Sequence, residues 1–175
     1  MFKHCIISFD WFPKFGGAHY WLHEVYKRWP EPITVITTDV RKEFGEEQDR
    51  YDRLDHGAIS KIIRLPIKVR SWGVDYNFLK NSLLISNAIR EHGGGAPVVV
   101  HSVKGIPETL SLVFLKIFLG KRLKVITYAH GEEFLVAGTS RQLKVLIKLA
   151  LGYSCLLYTS PSPRDLSTSR MPSSA

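Results

Sequence analysis

The stretch Lys3-His4-Cys5-Ile6-Ile7-Ser8-Phe9-Asp10-Trp11-Phe12-Pro13-Lys14-Phe15-Gly16-Gly17-Ala18 decides the reading of the fold. Its apolar run, Cys5 to Phe9, reads as a first β-strand. The glycine pair Gly16-Gly17 closes the following turn, and an amphipathic helix starts near Ala18. Glycine lets the backbone approach a ligand with no Cβ in the way. The amides of a helix start, at the positive end of its dipole, suit a phosphate. The segment therefore reads as strand, anion-binding loop and helix, the opening unit of an α/β domain. The Gly-x-Gly-x-x-Gly spacing of dinucleotide binders is missing, and a glycine pair alone serves equally well as a plain turn.

Outward from this unit, strand and helix signals alternate. The first helix spans about 18–29, with Ala18, Trp21, Leu22, Val25 and Trp29 expected on its inner face, and Pro30 and Pro32 end it. Ile33 to Thr37 is a second strand, the charged segment 41–55 a solvated loop or short helix, and Ile62 to Leu65 a third strand. A helix is expected over 76–91, with Leu79, Leu83, Leu84 and Ala88 setting its period. After Gly93-Gly94-Gly95 come a fully apolar strand, Val98 to Val100, a helix over 107–119, a strand over 123–128 and a helix over 141–151. Such alternation specifies a doubly wound parallel sheet with helices on both faces, joined by right-handed crossovers: a Rossmann-like α/β fold.

Composition sets the outer limits. The chain has 175 residues, enough for one domain with a real core, and is 45% hydrophobic and 23% charged. Its net charge of +8 fits an anionic partner, such as a nucleotide or an anionic membrane surface, and equally a generally basic protein. No nucleic-acid recognition module is legible, and no nucleic-acid partner is expected. The two cysteines, Cys5 and Cys155, have no metal-ligand spacing around them, so no metal is expected, and a reducing, cytoplasmic compartment is. The first apolar run is too short for a signal peptide, and the apolar stretch 110–119 is too short to span a bilayer. The segments 113–124 and 141–151 are basic on one side and apolar on the other. They suit either packing on the sheet or peripheral contact with the inner face of a membrane.

In a doubly wound sheet, ligands bind beyond the carboxyl ends of the strands, near the switch in strand order. Three polar loops fall there: Asp10 with Gly16-Gly17, then His101-Ser102-Val103-Lys104-Gly105, then His130-Gly131-Glu132-Glu133. Each residue also has a local reading. His101 can end a strand and bond a carbonyl, Lys104 can be surface, and Glu132 and Glu133 can favour a helix start. His130, followed by Gly131 after a buried strand, points more strongly to a site. His19, in the first helical turn, is a lesser candidate, and Asp39 is expected to bond locally rather than hold a ribose.

The ordered set Phe12 to Gly17, Val35 to Asp39, Val98 to Ser102 and Tyr128 to Phe134 resembles the N-terminal domain of family 4 glycosyltransferases, over about residues 1–152. The resemblance implies the N-terminal, acceptor-side half of a GT-B architecture. Such enzymes transfer a sugar from a nucleotide-sugar, a UDP- or GDP-sugar, to a glycan or lipid-linked acceptor, with retention and without a metal or other cofactor. It also implies that Gly16 and Gly17 approach the donor diphosphate and that His130 lies near the transferred sugar. Asp10, His19, His101, Lys104, Gly131, Glu132 and Glu133 would then line the acceptor cleft. The family's donor-binding second domain is missing, so these 175 residues are expected to be inactive alone. Alternatives are a freestanding binding subunit with a separate donor-domain partner, or a fragment of a sugar-nucleotide 2-epimerase. The segment 153–175 is Ser- and Pro-rich and is expected to be disordered; from Leu156 it resembles translated sequencing-adapter read-through. It carries Arg164 and Arg170 against Asp165, which leaves +7 on the domain.

Overall fold

A computed structural model describes residues 2–14, 16–68, 75–129, 135 and 138–159. The chain runs β1 (Lys3–Ile7), α1 (Gly17–Tyr26), β2 (Ile33–Thr38), α2 (Arg41–Phe44), α3 (Glu46–Asp52), β3 (Ile59–Leu65), α4 (Phe78–Gly93) and β4 (Val98–Ser102). A tight turn, Gly105–Thr109, follows, then α5 (Leu110–Leu119), a 3₁₀ turn (Gly120–Arg122), β5 (Leu123–Ala129), α6 (Arg141–Gly152) and β6 (Leu156–Thr159). The strands form one parallel sheet in the order β3-β2-β1-β4-β5-β6. This is the Rossmann-like arrangement expected from the alternation of elements.

The order reverses at β1, and right-handed crossovers therefore send the helices of the two halves to opposite faces. The packing follows this rule. Ile7 and Ile36 face a core with Ile85 and Ile89 of α4 and Leu112 and Leu115 of α5. Ile6 and Val35 face a second core with Leu22 and Tyr26 of α1, closed by Trp11 and Phe12 of the β1–α1 loop. Full burial of each such side chain contributes about 1.5–3 kcal/mol, so the two cores fix the positions of the strand ends.

Three expectations shift. The buried face of α1 is His19, Leu22 and Tyr26, whereas Trp21 and Val25 are exposed. Tyr26 turns inward because its hydroxyl meets His101, and counting apolar residues alone rotated the helix by about one position. In α4 the buried face includes Asn81, Ser82, Ile85 and Ile89, while Leu79 and Leu83 are exposed. Asn81 is inside because its carboxamide Nδ2 donates to the Lys68 carbonyl at 2.9 Å. Finally, the sheet does not stop at residue 152. Cys155 N–H donates to Val125 O at 2.7 Å, and Leu156–Thr159 pairs in register with Ile126–Ala129. The Ser- and Pro-rich composition hid a four-residue β-prone run, and the rest of that segment lies outside the described residues.

Candidate functional site

β1 and β4 are adjacent, so the loops at their carboxyl ends meet. Phe9, just beyond β1, donates its backbone N–H to Oε1 of Glu108, 3.1 Å away in the turn after β4. Above this junction stands a charged cluster. Asp10 Oδ1 accepts from Lys14 Nζ at 2.7 Å, and Asp10 Oδ2 lies 3.9 Å from Lys104 Nζ. These three side chains are partly or largely open to solvent. Ion pairs in such places are worth about 0–1 kcal/mol, so an incoming anion can exchange with Asp10 at little cost.

The helix start lies on the same loop. The N-cap residue of α1, Gly16, supplies no side-chain cap, and the first turn carries no acidic residue. The two glycines differ in what they permit. A Cβ on Gly16 would lie 2.5 Å from Cε1 of His19, so that glycine makes room for the imidazole. A Cβ on Gly17 would meet no atom of the described residues within 4 Å, so a side chain there has room.

His19 points inward. Its ring packs edge-on against Phe12, with centroids 5.4 Å apart, and Nε2 is buried without a hydrogen-bond partner. Burial holds its pKa below the usual value, against an opposing hydrogen bond from the ring to the backbone carbonyl of Lys14. His101 also lies inside the molecule. It shares a row of the sheet with Ile6 and Ile126 and faces α1. Its Nε2 is 3.1 Å from His4 Nδ1, and its Nδ1 is 2.5 Å from the Tyr26 hydroxyl, which in turn meets Tyr128. Burial, and next the neighbouring His4, push the His101 pKa down to about 4, so the ring is neutral near pH 7. His101 thus joins β1, β4, β5 and α1 in one hydrogen-bonded chain. Asp39 bonds locally, accepting the Arg41 N–H at 2.9 Å.

Of the expected site residues, the structure brings Asp10, Gly16, Gly17 and Lys104 to one place, with His19 beneath them. His130, Gly131, Glu132 and Glu133 lie outside the described residues, as does Phe15. Sequence reading missed Glu108. Its carboxyl group is buried, Oε2 has no partner, and burial raises its pKa to about 7 against the pull of the Phe9 amide and Lys104. Following a proline at an expected helix start, it looked like an ordinary first-turn acid. Lys14 was likewise visible only as part of a loop.

A cleft of about 500 Å³ opens at the other end of the sheet beside Val98, lined in part by Arg90, Gly93, Gly95, Leu119 and Arg122. The C-termini of α4 and α5 end there, and cations at such ends complement exposed carbonyls. Among the described residues, no group of three or more His, Cys, Asp or Glu side chains is arranged to hold a metal ion. No described helix is long and apolar enough to cross a membrane. Neither a scan of protein-family models nor a search of curated proteins returns a match to this chain.

Proposed function

We propose that this chain is the acceptor-side domain of a retaining nucleotide-sugar glycosyltransferase, with the donor diphosphate seated over Gly17. One observation carries this reading: a helix start with room at Gly17 and no side-chain cap from Gly16 stands beside Lys14 and Lys104 at the carboxyl ends of two adjacent central strands. When a sugar leaves its nucleotide, the diphosphate gains negative charge. Backbone amides and ammonium groups already aimed there stabilise that charge without reorganising. Asp10 holds the two lysines in place until the anion arrives.

The cleft of such an enzyme has a second wall, which carries most of the nucleotide contacts. These 175 residues therefore bind a donor weakly and transfer no sugar alone. Calorimetry with UDP-glucose and GDP-mannose tests the reading, comparing the parent chain with Gly17→Trp. The expected result is millimolar-range binding that weakens about tenfold or more in the variant, with an unchanged melting temperature because a side chain there has room. Sugar transfer by the purified chain, or equal binding by the variant, contradicts it.

A sugar-nucleotide 2-epimerase is the second reading, favoured by the two carboxyl groups, Asp10 and Glu108, at one cleft. Incubation with UDP-N-acetylglucosamine in D2O separates the two. Deuterium at C2 supports the epimerase and contradicts the transferase.

A further inference from the structure

We propose that Arg64 is a positioning residue for the β1–α1 loop: with Tyr51 and Asp52 it forms a brace that holds the turn 11–14, and through it Lys14 and the start of α1, in the geometry that receives an anion at Gly17. The proposal rests on the diphosphate reading above. Its basis is a set of contacts that converge on Phe12 from β3 and α3. Lys14 N–H donates to Trp11 O at 3.1 Å, so residues 11–14 close into one turn with Phe12 inside it. The Phe12 carbonyl accepts from Arg64 Nη2 at 2.6 Å, across 52 positions of sequence. The Phe12 ring stacks on Tyr51, with centroids 5.2 Å apart and planes 15° from parallel. The same ring meets His19 edge-on at 5.4 Å, which carries the grip to the first turn of α1.

Arg64 is itself held on several sides. Its side chain is only 9% exposed. Nε donates to Asp52 Oδ2 at 3.1 Å and Nη2 to Asp52 Oδ1 at 2.7 Å, the two-pronged pairing that a planar guanidinium makes with a carboxylate. Nη1 donates to Thr38 O at 3.3 Å, at the end of β2. One side chain near the end of β3 therefore joins α3, β2 and the β1–α1 loop, and the shortest of its contacts goes to the loop. Asp52 orients the guanidinium, and the guanidinium fixes the loop. Tyr51, the neighbour of Asp52 on α3, holds the ring of the residue whose carbonyl Arg64 holds. The charged segment 41–55 thus contributes a lateral support to the loop. A loop fixed before its ligand arrives loses less conformational freedom on binding, so the brace raises affinity without touching the ligand.

The test compares the full chain with its Arg64→Met and Arg64→Gln variants by amide NMR, with UDP-glucose as the probe. Glutamine puts an N–H near the place of Nε, within reach of Asp52, and is too short for Phe12 O, so this variant keeps the fold and releases the loop. The Lys14, Gly16 and Gly17 amides are expected to shift or broaden in both variants, while Ile7 and Val100 in the central strands keep their positions. UDP-glucose affinity is expected to fall on the order of fivefold or more. Gly57→Ala is the control: its added Cβ meets Lys27 rather than Phe12, so it lowers stability and keeps the parent's affinity. Loop amides and affinity unchanged in the Arg64 variants overturn the proposal and leave the diphosphate reading standing. An equal loss of affinity in Gly57→Ala also overturns it, because the effect then follows stability and not the loop. Loop amides that move in the Arg64 variants, with no UDP-glucose bound by the parent, support the brace and overturn the diphosphate reading.

Discussion

Two buried side chains, Glu108 and His101, have opposite effects on stability as pH changes. The Glu108 pKa is raised to about 7 from an ordinary 4.5, so the folded state holds its proton longer than the unfolded chain does. Its destabilising effect is absent below the unfolded value, grows as pH rises, and is complete above about pH 7, at about 3 kcal/mol. The His101 pKa is lowered to about 4 from 6.5. The stability from keeping this ring neutral is fully present above pH 6.5 and is lost as pH falls toward 4, again by about 3 kcal/mol. Urea denaturation across this range should therefore show Glu108→Gln gaining on the parent as pH rises from 4 to 8. His101→Gln should lose most of the parent's acid sensitivity between pH 6.5 and 4. Parallel pH profiles for parent and variants contradict the assignment. Neither environment was legible in the sequence, because each arises from partners far along the chain: Phe9 for Glu108, and His4 and Tyr26 for His101.

At the scale of elements, the chain is most sensitive where backbone touches backbone. Gly57 leads into β3 with φ of +64°, and a Cβ there would lie 2.4 Å from the carbonyl oxygen of Lys27. That carbonyl also accepts the Ala58 N–H at 3.0 Å, tying the end of α1 to the start of β3. Gly57→Ala is therefore expected to cost about 2–4 kcal/mol, from both the left-handed backbone and the clash. A melting temperature within a degree or so of the parent would falsify this. The elements themselves were largely legible, since Pro30, Pro32 and the 93–95 glycines punctuate them and β2 and β4 are apolar runs. The inner faces of α1 and α4 were not. His19, Tyr26 and Asn81 are polar residues turned inward by specific partners, and a pattern built on apolar residues alone assigns them to solvent.

For the whole molecule, strand order matters more than any single motif. Because β1 and β4 are neighbours at the reversal of the sheet, Phe9 meets Glu108 and Asp10 meets Lys104 although nearly a hundred positions separate them. The meeting of the loops after β1 and β4 could be anticipated from the alternation of strands and helices. The difference between Gly16 and Gly17 could not, since it depends on where the His19 ring lies. The central claim is that an anionic donor sits over Gly17, between Lys14 and Lys104. Amide chemical-shift mapping of the uniformly labelled chain with UDP-glucose tests it most directly. The account predicts saturable shifts at Gly17, Ala18, Lys104 and Phe9, with the Arg90 and Arg122 amides at the opposite end of the sheet unmoved. Shifts confined to that opposite cleft, or no saturable shift at the start of α1, would contradict it.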